Sequence, residues 1–150
     1  MSSLYEQDFY QWTQQQAEYL RLGKLELLDR ENLREEIESL GKQQRQELRN
    51  RLGILLGHLL KWHYQPAGRC KSWRATIREQ RREIHRHLQE NPSLKPYLDE
   101  AIALGYQQGL DLVDRETPLT LEQLPPICPF STVQIFEEPL YLPGEKTINS

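Results

Sequence analysis

The chain has 150 residues, 27% of them charged and 37% hydrophobic, which suits one globular domain large enough to bury a core. A formal net charge of -3 gives no overall attraction to nucleic acid, so any phosphate binding must come from a local cluster. Two cysteines, Cys70 and Cys128, lack CxxC spacing and form neither a disulfide framework nor a zinc knuckle, which predicts a reducing, cytoplasmic setting. The N-terminus has no basic and apolar leader pattern, and the longest apolar run, Ile54 to Leu60, is far too short to span a bilayer.

Helix formers dominate the first two thirds, and proline is absent until Pro66. The pattern predicts an all-α bundle of about four main helices, a body over 1–116, and a proline-rich segment over 117–150 packed on it as part of one domain. The first helix is expected from Ser3, whose spacing to Glu6 is that of a capping box, to a stop at Gly23. Its face carries Tyr5, Phe9, Trp12, Gln16, Tyr19 and Leu20.

Asp29 is placed to cap a second helix running from about Arg30 to His63, some ~50 Å if continuous. Leu33, Ile37, Leu40, Leu48, Leu52, Leu55, Leu56, Leu59 and Trp62 form its apolar stripe. Gly41 and the polar stretch after it mark the place for a bend, but no proline or turn cluster interrupts the pattern, which favours one long helix.

Gln65 to Gly68 reads as a tight connection, and a third helix follows from about Ser72 to Glu90 with Trp73, Ile77, Ile84 and Leu88 inward. Asn91-Pro92 ends it, and Ser93 is expected to cap a fourth helix with Pro96 in its first turn. Ala101, Gly105 and Gly109 recur every four residues there, a spacing that either permits close approach of a neighbouring helix or merely weakens this one. Thr120 with Gln123 and Ser131 with Gln134 have capping-box spacing for two short helices. Leu124, Ile127, Phe130, Ile135, Phe136 and Leu140 are the expected contacts of this segment, and 145–150 are expected to be disordered.

Lys71, Arg74, Arg78 and Arg82 form one positive row on the third helix, a candidate anion site with nucleic acid as a partner, or an ordinary solvated face interleaved with Glu79 and Glu83. Arg81 falls inside the apolar stripe beside Ile77, where a guanidinium needs a partner; Glu35, Glu36 and Glu38 are the candidates. His58 and His63 do not share a helical face, nor do His85 and His87, and no HExxH or ExxH occurs, so no metal site and no cofactor is expected. No GxSxG or glycine-rich phosphate loop occurs, and Cys70 between Arg69 and Lys71 is weak ground for a nucleophile.

Asp8-Phe9-Tyr10-Gln11-Trp12, Leu28-Asp29, Glu35-Glu36-Ile37-Glu38-Ser39-Leu40-Gly41, His58-Leu59-Leu60-Lys61-Trp62, Gln65-Pro66, Ser72-Trp73-Arg74, Ile77, Gln80-Arg81, Asn91-Pro92-Ser93-Leu94 and Glu116-Thr117 follow in order. Together they resemble a bacterial family called domain of unknown function 29, over roughly residues 5 to 140. The resemblance implies an all-α fold and carries over no catalytic residue. Besides nucleic-acid binding through the basic third helix, two functions remain open on the sequence. One is an interaction or regulatory module, with a protein partner or self-association on the long second helix. The other is a ligand or catalytic pocket built on Glu36, His58 and Arg81, with Glu35, Lys61, Trp62 and Trp73 around it.

Overall fold

A computed structural model describes residues 2–146. Among them there is no strand; the helices are α1 (Leu4–Gln7), α2 (Phe9–Arg21), α3 (Arg30–Tyr64), α4 (Lys71–Glu90), α5 (Leu98–Glu116) and α6 (Thr132–Phe136), joined by short 3-10 turns. The described residues fall into two compact units, within Met1–Gln44 and within Arg45–Ser150. α3 is continuous for 35 residues through Gly41 and contributes to both.

In the first unit, capping decides where helices begin and end. Ser3 accepts from the Glu6 N–H as its spacing predicted, but the helix it starts lasts one turn. The single helix expected from Ser3 to Gly23 is interrupted at Asp8, whose extended backbone and side chain, accepting from Gln11 N–H at 3.1 Å, start α2 afresh. Gly23, at φ +70°, ends α2: its N–H reaches the Leu20 carbonyl and that of Lys24 the Tyr19 carbonyl, the paired bonds of a Schellman stop.

The second unit holds the main core, in which Leu48, Leu52, Leu55, Leu56, Leu59 and Leu60 of α3 are fully buried with Ile77 and Ile84 of α4 and Val113 of α5. The glycine repeat of α5 does permit close approach. A Cβ on Gly109 would lie 2.9 Å from the Gly57 nitrogen and 3.2 Å from the Gly53 carbonyl; one on Gly105 would lie 3.0 Å from the Arg49 carbonyl. Gly53 and Gly57 of α3 therefore face Gly105 and Gly109 across a near-backbone contact.

α5 starts four residues later than a cap at Ser93 would have it. Ser93 makes no capping bond, and Pro92–Tyr97 is a 3-10 segment. Pro96 lacks an N–H and disfavours α geometry in the residue before it, so the α-helix forms only once the chain is past it.

Both C-terminal capping boxes form, at Thr120 and Ser131. Leu124, Ile135 and Leu140 are buried and Phe130 and Phe136 pack on the core, but Ile127, an expected contact, is 78% exposed. Glu145, placed in the expected disordered end, instead binds Arg74 through both carboxylate oxygens at 2.9 and 3.0 Å. Residues 147–150 lie outside the described residues.

Candidate functional site

The first unit carries an open groove between α2 and the first part of α3, about 450 Å³ in volume. Phe9, Ala17 and Leu20 line one wall, and Leu33, Ile37 and Leu40 the other. Periodicity made Ile37 and Leu40 core residues, yet they are 66% and 58% exposed. Only Trp12 and Gln16 are buried in this unit, whereas eight of the fourteen exposed large hydrophobics among the described residues belong to it.

Polar bonds hold the groove's frame. The Trp12 indole N–H donates to Asp29 Oδ2 at 3.0 Å, Asn32 Nδ2 donates to the same oxygen at 2.8 Å, and Gln16 Oε1 accepts from the Asp29 N–H at 2.8 Å. Hydrogen bonds from the Asn32 side chain, the Trp12 indole and the Asn32 backbone hold the Asp29 carboxyl below the usual aspartate range. The Tyr5 hydroxyl donates to Glu36, and that bond pushes the phenol pKa up to about 12. Tyr5, Phe9 and Trp12 stack edge and face with centroids 4.8–5.7 Å apart. Glu36 thus lines the groove with its carboxylate already engaged, and Glu35 is exposed.

The second unit gathers other singled-out residues. Lys61, 5% exposed, places its ammonium 3.4 Å from Glu116 and 5.4 Å from the centroid of Trp73. His58 is half-buried, its Nδ1 2.9 Å from the Ile54 carbonyl, and burial pushes its pKa down. Trp62 is buried beneath Arg69, which lies 5.2 Å from its ring and donates to its carbonyl.

Arg81 has no carboxylate where Glu35, Glu36 or Glu38 was expected. Its fork donates to the backbone carbonyls of Ile135 (2.8 Å), Glu138 (2.8 Å) and Gln134 (3.0 Å). The Gln134 and Ile135 carbonyls are in the last turn of α6 and that of Glu138 lies just beyond it, which the sequence could not align with α4, and the guanidinium is a C-terminal cap for that short helix. Of the positive row, Arg74 is tied to Glu145, while Lys71, Arg78 and Arg82 are exposed.

Sequence reasoning missed Glu116, whose place beside Lys61 depends on how α5 packs on α3. It also missed the polar seam of α3 and α4, where Arg51 bridges Glu47 and Gln80 and buried His87 approaches Glu47 at 3.2 Å. The only available signal was that Gln80 and His87 fall on the same helical stripe as Ile77 and Ile84. Among the described residues no group of three or more His, Cys, Asp or Glu is arranged to hold a metal ion, and no helix is long and apolar enough to cross a membrane.

No curated protein and no solved structure matches the chain. The family model described as Domain of unknown function DUF29 matches residues 4–141, nearly the whole sequence, and the chain belongs to that family.

Proposed function

We propose that this protein is an interaction module whose first unit offers its groove to an α-helical protein surface. The carrying observation is the imbalance inside that unit: two buried side chains against eight exposed large hydrophobics, four of which (Phe9, Leu20, Ile37 and Leu40) border one groove. An open apolar face lined by helix ridges suits another helix, whose side chains fill the hollow. The free thiols of Cys70 and Cys128 support a reducing, cytoplasmic setting.

A photoreactive residue at Leu20 or Ile37 of the full-length chain, activated in the producing cell, tests this reading. Discrete adducts from both positions, absent from Leu104 on α5 and abolished by Leu40→Glu, are expected. Equal labelling at Leu104, or no adduct from the groove, contradicts it.

A second reading rests on Lys61, a buried ammonium against an aromatic face with one carboxylate beside it. A small carboxylate or phosphate reaching it would replace Glu116, with His58 nearby. Titrating acetate and inorganic phosphate while following the Trp73 indole resonance tests it. A saturable shift lost in Lys61→Met supports a ligand site, and an unmoved resonance removes it.

A further inference from the structure

We infer that the occupant of the groove is a second copy of this chain, joined to the first across a two-fold axis so that α2 and the first part of α3 from both copies form a four-helix layer. The inference rests on the interaction reading above and names its partner.

The first unit is a helical hairpin with a deficient core. Some forty residues cannot ordinarily bury enough apolar surface to hold themselves together, and oligomerisation is one of the usual remedies. Here only Trp12 and Gln16 are buried. The helix ends are well satisfied, by Asp8, by Asp29 and by the Gly23 stop, so what is missing is a cover for the side chains and not backbone pairing.

The exposed area fits a dimer. A standard interface covers about 800 Å² on each partner, a little over half of it apolar. Phe9, Leu20, Ile37 and Leu40, each between 49% and 66% exposed, supply on the order of 400 Å² if a large side chain presents about 200 Å².

The lining chemistry fits a copy of itself. A two-fold interface sets each patch against the same patch, so an unpaired charge near the axis would meet its like. Among the groove residues the one ionisable group is Glu36, whose charge the Tyr5 hydroxyl bonds without neutralising, so the two-fold axis must pass away from it. Nothing in the lining selects a charged partner. The shape is also self-complementary in kind: ridges of Ile37 and Leu40 on one copy meet the hollow beside Leu20 and Ala17 on the other, and two helix pairs stacked this way make a four-helix bundle.

Sedimentation equilibrium of the full-length chain, from about 1 to 200 µM, is the test. The wild type is expected to give a reversible dimer mass. Ile37→Glu combined with Leu40→Glu should weaken association at least 100-fold with unchanged helical circular dichroism, while Arg82→Glu, on the exposed face of α4, leaves it alone. Because a double charge could unfold the unit, Leu20→Gln is a milder variant with the same expected direction. Mixing Ile37→Glu with Leu20→Lys should restore a dimer that neither forms alone.

A wild type that is monomeric throughout overturns the second-copy inference, as does a dimer indifferent to every groove substitution. If the monomer still gives groove-specific photo-adducts with another protein, the interaction reading survives and only the identity of its partner fails. If those adducts are absent too, both fall.

Discussion

The two halves of α3 read alike in sequence and live differently. From Leu48 to Trp62 the stripe meets α4, α5 and the C-terminal segment and is almost wholly buried; at Ile37 and Leu40 the same kind of stripe is open. A 3.6-residue period shows that a helix has an apolar face, but not whether the chain contains enough other elements to cover it. The second unit has those elements, and the first has one short helix pair.

The sharpest way to break this contrast is to truncate both halves. Leu56→Ala should cost about 3 kcal/mol, since it leaves a cavity in a closed core. Ile37→Ala should change the stability of dilute protein by less than about 0.5 kcal/mol. Urea unfolding below the association range measures both, and comparable costs would show the first unit to be as closed as the second.

Glycines sharpen the comparison. Gly109→Ala should destabilise by about 2 kcal/mol, because its Cβ would meet α3 backbone that cannot rotate aside. Gly41→Ala meets nothing within 4 Å and should stabilise α3 by about 0.5–1 kcal/mol. Thermal unfolding distinguishes the two signs. Arg81→Lys should cost a similar or slightly smaller amount, about 2 kcal/mol, because a single ammonium cannot serve three carbonyls in the plane of a fork.

A smaller loss than those of Leu56, Gly109 or Arg81 concerns the frame of the first unit. Asp29→Ala removes the α3 cap and the indole bond together and should cost about 1 kcal/mol. Its carboxyl pKa is lower in the folded chain than in the unfolded one. The stabilisation is therefore full above the ordinary aspartate range and is lost as pH falls through the folded value. The Trp12 indole resonance should move in that acidic window in the wild type and stay put in Asp29→Ala.

What could be read from the sequence was mostly local. Ser3, Asp29, Thr120 and Ser131 act as caps because a side chain three residues from its donor needs no tertiary context. Asp8 escaped notice because the aromatic periodicity of Tyr5, Phe9 and Trp12 runs straight through the break. The pairings that escaped are all between elements: Arg81 with the end of α6, Lys61 with Glu116, His87 with Glu47. Each depends on which helix faces which, and residue type alone permits several partners. Buried Gln80 was hidden for the same reason, since an amide reads as surface until its partners are placed.

The central claim, that the chain closes its core in the second unit and leaves the face of the first for a partner, is tested most directly by hydrogen exchange along α3 of the full-length protein. In dilute solution the account predicts a step, with amides of Leu48 to Trp62 protected near the global limit and those of Arg34 to Gln43 exchanging through local opening. Raising the concentration should shrink that step as the groove is covered. Uniform protection along all of α3 at the lowest concentration would contradict it.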